Sequence, residues 1–347
     1  MKLKVEENNY LINIGYNTDD ELIKYLEQHK SKKICLISDE NVYFIYRNRL
    51  KSILHDFNIY IFTFSQGEKN KSLKTYEDAL MFLSYNGFTR NDLILSFGGG
   101  ITGDLSGYIA ATYLRGISFV SVPTTLLSMI DSSVGGKNGV NLNNLKNQVG
   151  TFYFPDYVHI DYSFLKTLDK SNINNGLAEM FKYSVLNDKE LFNSLKKSED
   201  RLDYESAIYR SLEIKLDYVR GDEHDKGKRQ YLNLGHTIGH GIEALSNYDI
   251  NHGEAVGIGL IYMARASYKM GIANEPFYKE IIDAFKKHGL KTRYDFNTDE
   301  ILNILMHDKK IRGDSINIII PVKIGEAVNK IVDFEELKEI INLGKDE

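Results

Sequence analysis

Between residues 33 and 122, short apolar runs alternate with longer stretches of helical spacing, and this alternation limits the possible folds more than any other feature. Strands are predicted at Lys33–Ser38, Ile59–Phe64, Leu93–Phe97 and Ile117–Val122. Helices are predicted between them at Val42–His55, Leu73–Tyr85 and Leu105–Leu114. Strand, helix and strand repeated in this way imply a parallel sheet wrapped by helices. Ahead of it, Leu3 and Val5, then Leu11, Ile12 and Ile14, flank Asn8-Asn9 as an opening hairpin. After about residue 160 the texture changes. Tyr162–Leu168, Asn175–Leu186, Glu190–Lys197, Tyr204–Arg220, Tyr231–Ser246, Glu254–Met270 and Pro276–His288 all read as helices. Ile316–Ile320, before Pro321, reads as a short strand on the helical part. Two domains are therefore expected, residues 1–165 α/β and residues 166–347 mainly α-helical, which suits 347 residues at ~150 per domain. No low-complexity linker separates them, so close packing is expected.

Composition excludes several function classes. Lysine plus arginine (43) and aspartate plus glutamate (48) nearly cancel, giving a net charge of -5 with mixed signs. That balance offers neither a basic stripe for nucleic acid nor a polybasic membrane surface. The single cysteine, Cys35, excludes an internal disulfide, and its apolar neighbours make it a buried small hydrophobe rather than a catalytic thiol. The first residues lack the apolar core of a signal peptide, and no window approaches the ~18 to 20 apolar residues of a membrane span. A cytoplasmic enzyme is the expectation.

Three segments of the first half carry chemistry. Gly98, Gly100 and Gly103 follow an apolar strand and open a helix, satisfying G-x-G-x-x-G. Such a turn lets backbone approach a phosphate at a helix N-terminus, although a plain strand-to-helix turn has the same pattern. It also follows a third or later strand, unlike the usual dinucleotide fingerprint. Asp104 either caps the helix or holds a ribose or nicotinamide group. Gln66–Leu73 is a polar cluster after a strand, as suited to wrapping a cofactor as to capping the next helix. Thr124 and Thr125, then the glycine-flanked Lys137 within Asp131–Asn141, lie beyond a probable sheet strand, where open α/β sheets place ligands.

The second half holds a metal-like pattern. His236 and His240 are four apart on a predicted helix, roughly 40° apart on one face. Their imidazoles suit zinc or cobalt, His252 can add a third nitrogen, and Glu179 lies in an apolar stretch where an unpaired carboxylate is costly. Lys182, Lys215 and Arg229 are each ordinary surface cations taken singly. Together with the metal candidates they point to an anionic substrate.

These residues carry a resemblance. Gly98–Asp104, Tyr113-Leu114-Arg115-Gly116, Pro123–Leu127, Asp131–Asn141, Phe164–Leu168, Gly176–Tyr183, Asp222–Arg229 and Leu232–Glu243 resemble 3-dehydroquinate synthases, in family order and over nearly the whole chain. The resemblance implies an N-terminal Rossmann-like α/β domain, a C-terminal α-helical domain, and an active site in the cleft between them. It implies a homodimer without nucleic-acid or membrane partners. It implies a divalent metal, Zn2+ or Co2+, on Glu179, His236 and His252, with His240 moved to substrate chemistry. NAD+ is implied at Glu68, Lys71, Gly99, Gly100, Asp104, Thr124, Thr125, Lys137, Lys146, Thr167 and Leu168. The substrate is implied at Arg115, Asp131, Lys137, Lys182, Lys215, Arg229, Asn233 and His240, with a further lysine at Lys309 or Lys310.

The implied substrate is 3-deoxy-D-arabino-heptulosonate 7-phosphate, whose carboxylate and phosphate call for lysines and arginines. The implied reaction is transient oxidation by NAD+, phosphate elimination, reduction, ring opening and intramolecular aldol closure, with no net redox change. Other sugar phosphate cyclases, such as a 2-deoxy-scyllo-inosose or 2-epi-5-epi-valiolone synthase, are the nearest alternative. A polyol dehydrogenase of the same superfamily predicts net NADH accumulation. A non-enzymatic NAD-binding module leaves the three histidines unexplained.

Overall fold

In a computed structural model of the chain, the hairpin at Asn8-Asn9 forms as the alternating pattern requires. Strand β1 (Lys2–Val5) runs antiparallel to β2 (Tyr10–Gly15), with Leu3 opposite Ile12. The structure describes residues 1–6, 8–29, 32–143, 145–198, 201–246, 249–306 and 315–345. They divide into two compact units, Met1–Leu168 and Asp169–Glu347.

In the first unit, α1 (Asp19–Gln28), β3 (Ile34–Asp39), α2 (Glu40–Ile53), β4 (Ile59–Phe64) and α3 (Leu73–Tyr85) follow in turn. Then come β5 (Leu93–Gly98), α4 (Gly100–Thr112), β6 (Ser118–Pro123), β7 (Lys137–Leu142), β8 (Leu145–Phe152) and β9 (Tyr157–Asp161). Seven strands make one sheet in the order β1-β2-β9-β6-β5-β3-β4, parallel except for β1. Strand β5 is buried throughout, as its unbroken apolar run requires of a central parallel strand. Its neighbours pack Cys35, Ile37, Ile94, Leu105 and Ile109 into one core. The chain moves from β3 outward to β4, then crosses back to β5 on the other side of β3. That reversal opens a crevice at the carboxyl ends of β3 and β5. The glycine turn after β5 therefore borders the switch point although β5 is not the first strand.

In the second unit, α5 (Lys170–Asn187), α6 (Lys189–Lys197), α7 (Tyr204–Val219), α8 (His236–Leu245) and α9 (His252–Lys269) precede α10 (Tyr278–His288) and α11 (Thr298–Met306). A hairpin of β10 (Ser315–Lys323) and β11 (Glu326–Asp333), then α12 (Phe334–Lys345), completes it. Helix α9 is buried from Gly253 to Ser267, and α5, α8, α10 and α12 pack around it. Its uniform burial explains why that stretch is mostly apolar or small, with Glu254 and Arg265 as the charged exceptions. Asp169, Asp188 and Asp203 cap α5, α6 and α7 by accepting backbone N–H groups of Asn172, Leu191 and Ser206. Each such cap is worth about 1 kcal/mol. Among the described residues no helix is long and apolar enough to cross a membrane.

Several expectations are corrected. The helix predicted at Leu105–Leu114 begins at Gly100, so Asp104 lies inside it and does not cap it. The loop containing Lys137 becomes strand β7, paired with β8. Tyr162–Leu168 is a 3-10 turn, Tyr162–Thr167. The single helix predicted at Tyr231–Ser246 is broken by Gly235 at φ +78° into the 3-10 turn Lys228–Asn233 and α8. The strand at Ile316–Ile320 is longer and runs past Pro321, where the register with β11 shifts. Lys309 and Lys310 lie outside the described residues.

Candidate active site

On the first unit Gly99 and Gly100 follow β5, and Thr124 and Thr125 follow β6, at the carboxyl edge of the sheet. The Thr124 amide donates to the Gly98 carbonyl at 2.9 Å, which ties the two strand ends together. Helix α4 starts at Gly100 with Gly99 as its N-cap, and no side chain among the described residues caps it. The Thr124 hydroxyl is buried and has no hydrogen-bond partner among the described residues. Thr125 differs, because its hydroxyl and backbone are engaged with Ser128 in a closed turn at 2.8–3.2 Å.

Lys71 is buried and donates to Asp104 Oδ2 and Asn147 Oδ1, both at 2.5 Å. Burial raises the Asp104 carboxyl above its ordinary range; Lys71 opposes this, and the charges of Glu68 and Asp131 add to it. Those three carboxylates and one lysine thus share one electrostatic neighbourhood. The Glu68 carbonyl and carboxylate accept from Asn141 Nδ2 at 3.2 and 2.8 Å, stitching the Glu68–Asn70 turn to β7. The polar cluster serves as a cap too, since Ser72 Oγ accepts from Thr75 N at the start of α3. Lys137 opens β7 and Lys146 lies in β8. Thr167 Oγ1 bonds Tyr46 Oη at 2.5 Å and donates to the Phe164 carbonyl, with Leu168 next in the chain. Arg115 stands apart. It lies past the far end of α4 from Gly99, roughly 20 Å away along the axis at 1.5 Å per residue. Leu114 and Arg115 both sit at positive φ, +52° and +67°, a strained pair for residues with side chains.

On the second unit α5, α8 and α9 converge. Helices α8 and α9 meet backbone to backbone, because neither Gly235 nor Gly259 has a side chain to hold them apart. A Cβ on Gly259 would lie 2.2 Å from the Gly235 carbonyl oxygen. Helix α5 grips the start of α9 through Asn175, whose Oδ1 accepts from Gly253 N at 2.5 Å. These contacts bring the first residues of α8 and α9, His236 and His252, over Glu179 one turn beyond Asn175.

Both histidines present Nε2 to Glu179 Oε1 at 3.7 Å, and the three candidate ligand atoms all lie within 4.8 Å of one another. Ligands of a tetrahedral centre with ~2.1 Å bonds are about 3.4 Å apart, so the residues fit a divalent metal with little movement. Glu179 is 1% exposed, and neither carboxylate oxygen has a hydrogen bond among the described residues. Lys182 Nζ is 2.7 Å from Oε2, near enough for an ion pair but poorly directed for a hydrogen bond. Lys182 supplies one cation at Oε2, and Oε1, which faces the two imidazole Nε2 atoms, calls for a second. The Nδ1 atoms are turned away from the cluster. That of His236 meets the Leu234 carbonyl and that of His252 meets Glu243 Oε2, each at 3.2 Å. His240 packs its ring 5.3 and 5.8 Å from those of His236 and His252 but is outside the ligand group. The pairing of His236 with His240 by helical spacing is thus replaced by one histidine from each of two helices.

Lys182, Lys215 and Arg229 are all buried. They come from α5, α7 and the Lys228–Asn233 turn, three elements packed on one another. Arg229 donates to the Glu223 carbonyl at 2.8 Å, Lys182 to the Leu232 carbonyl at 3.1 Å, and Asn233 to the Gln230 carbonyl at 3.0 Å. Burial alone would raise the Asp222 carboxyl, but the N–H groups of Lys226, Arg229 and Gly227 hold it below the ordinary range and fix the loop before Arg229. Two residues escaped the sequence reading. Glu243 lies seven positions after His236 as the one acidic residue of α8, and that isolated charge was the available signal. Asp39 ends β3 at the switch point and caps α2 through Val42 N.

Comparison with known proteins agrees with this architecture. Residues 61–175 match the N-terminal model of 3-dehydroquinate synthase, and residues 176–311 match its C-terminal model. A 3-dehydroquinate synthase of Streptococcus suis is 42% identical over 328 residues, 91% of this chain and 92% of that protein. The solved structure of a 2-deoxy-scyllo-inosose synthase with carbaglucose-6-phosphate, NAD+ and Co2+ is 25% identical, with a TM-score of 0.89 over 98% of both chains. A 2-epi-5-epi-valiolone synthase from Streptomyces hygroscopicus, with NAD+ and Zn2+, is 25% identical at a TM-score of 0.88 over 98% of both. The chain belongs to the 3-dehydroquinate synthase family.

Proposed function

We propose that the chain converts 3-deoxy-D-arabino-heptulosonate 7-phosphate to 3-dehydroquinate and phosphate, with NAD+ and one divalent metal, zinc or cobalt, as resident cofactors. The observation carrying this reading is the buried Glu179 carboxylate, which has two imidazole Nε2 atoms at 3.7 Å and, among the described residues, no hydrogen bond of its own. When bound, NAD+ supplies a reversible hydride acceptor and the metal a Lewis acid beside the reacting hydroxyl. Glu179, His236 and His252 would hold the metal. His240 moves a proton at that hydroxyl, directly or through one water. Lys182, Lys215 and Arg229, with Asn233, receive the anionic groups of the substrate, and Asp131 and Lys137 orient it. The burial of Lys182, Lys215 and Arg229 strengthens each of their charge–charge contacts relative to water.

On the first unit, Gly99 and Gly100 present the uncapped start of α4 to the dinucleotide phosphates. Glu68, Lys71, Asp104, Thr124, Thr125, Lys146, Thr167 and Leu168 surround the rest of that cofactor, and the unpartnered Thr124 hydroxyl supports this. Arg115 is kept as a substrate contact on the resemblance alone. The domains are accordingly an NAD-binding α/β domain, residues 1–165, and a metal- and substrate-binding helical domain, residues 166–347. We also propose a homodimer in the cytoplasm, which sedimentation and fractionation would check.

The test supplies the heptulosonate phosphate with NAD+ and metal and follows phosphate release with and without chelator. Chelator-sensitive release with dehydroquinate as product is the expected result, and its absence refutes the proposal. A second reading, another sugar phosphate cyclase, is favoured by the fold match to the deoxy-scyllo-inosose enzyme. It predicts turnover of a hexose or heptulose phosphate and none of the heptulosonate.

A further inference from the structure

Resting on the metal reading above, we propose that Glu243 is a positioning residue that sets how tightly His252 holds the metal. A carboxylate only accepts hydrogen bonds, so the 3.2 Å contact between Glu243 Oε2 and His252 Nδ1 requires the proton on Nδ1. That leaves the lone pair on Nε2, the atom 3.7 Å from Glu179 Oε1. His236 reaches the same tautomer differently, against the neutral carbonyl of Leu234. The two imidazoles are therefore unequal. His252 has a carboxylate behind Nδ1, whereas His236 has the neutral Leu234 carbonyl there.

The fold makes the contact a built one. Glu243 is one turn past His240 on α8 and buried at 6% exposure, with its carbonyl accepting from Ser246 Oγ at 3.0 Å. His252 is the first residue of α9, and its side chain is 31% exposed. The Gly235–Gly259 crossing and the Asn175–Gly253 bond position the backbone around it, and the rings of His236 and His240 lie 5.2 and 5.8 Å from its own. Glu243 adds a directed contact at Nδ1. It links α8 to α9 across the metal cluster, so the ligand from the second helix is oriented by the helix bearing the first.

The experiment measures Co2+ affinity of the metal-free protein by visible absorption, competing with a chelator of known affinity, alongside circular dichroism and thermal melting. Glu243→Ala should weaken binding by about 10–100-fold, and Glu243→Gln, which keeps an acceptor but no charge, by less. In a His252→Ala background the same Glu243 substitutions should add almost nothing, because the effect runs through that imidazole. Unchanged affinity in folded Glu243→Ala and Glu243→Gln overturns the proposal. So does an equal loss with or without His252, which would mark a merely structural role. If the unsubstituted protein binds no Co2+, the metal reading itself fails, and that outcome is separate from both.

Discussion

Substituting Gly259 by alanine tests whether the α8–α9 crossing exists to build the metal cluster. The new Cβ would lie 2.2 Å from the Gly235 carbonyl oxygen and 3.0 Å from Gly239 N. Ordinary contact begins near 3.4 Å, and both obstacles are backbone, so the helices must part by about 1 Å. Overpacking of this kind costs about 1–3 kcal/mol, while alanine regains up to about 1 kcal/mol of helix propensity over glycine. The net loss is about 0–2 kcal/mol, a melting shift of only a few degrees for a unit of this size. The site is less forgiving. Metal–ligand distances tolerate about 0.2 Å, and a 1 Å misplacement of a catalytic group costs about 100-fold in rate. Gly235 immediately precedes His236, and Gly259 lies two turns beyond His252, so the parting falls on the two ligand-bearing ends. Co2+ titration of the metal-free variant should show binding collapsed in a protein that still melts cooperatively. Gly271→Ala is the control, since φ is +72° there but nothing lies within 4 Å of the added carbon. It should lower the melting temperature by a similar amount and leave Co2+ binding intact. Co2+ affinity in Gly259→Ala matching that control would refute the argument.

His240→Ala should retain Co2+ affinity while losing turnover, whereas His236→Ala should lose both; metal titration beside phosphate release separates them. Lys71→Met leaves the half-buried Asp104 without its cation and should cost less in a urea melt than the about 3–5 kcal/mol of a fully buried pair, with NAD+ affinity falling as well. Burial depresses His159 from 6.5 to about 4, against the opposing charges of Asp161, Asp19 and Glu21. The folded value lies below the unfolded one, so the unfolded chain binds the extra proton as pH falls. The stability from neutral His159 is full above pH 6.5 and is lost as pH drops through 4, about 3 kcal/mol in all. His159→Gln should flatten urea-melt stability across that window, and an unchanged slope would refute the assignment.

The parts of the fold that were legible in the sequence are the local ones. Helix α3 falls at Leu73–Tyr85 in both readings, and β3 to β6 agree within two residues at each end, because period and strand-end glycines are written locally. Strand β9 was missed because His159 and Asp161 interrupt its apolar pattern; both are buried, with partners at Asn17 and Thr18 that come from far along the chain. Helix α1 carries Asp19, Asp20 and Glu21 in its first turn, a start signal passed over in the shadow of the hairpin. Gly235 was read as a helical residue, since nothing local distinguishes a left-handed glycine from a packed one. The choice between His240 and His252 was likewise invisible to spacing. Helical period reports which side chains share a face, but not which second helix lies across it.

The two edges of the seven-stranded sheet differ in how they meet other chains. β1 carries Lys2 and Lys4, charges that discourage a further strand from pairing. β4 reads Ile-Tyr-Ile-Phe-Thr-Phe, without charge or proline, and leaves Ile61 42% exposed. Such a hexamer has the composition of a self-stacking segment once its unpaired backbone is uncovered. Heating is therefore expected to end in precipitation at β4 rather than in reversible unfolding, with an apparent transition that falls as concentration and dwell time rise. A lysine at position 61 should restore refolding without touching either half of the catalytic machinery.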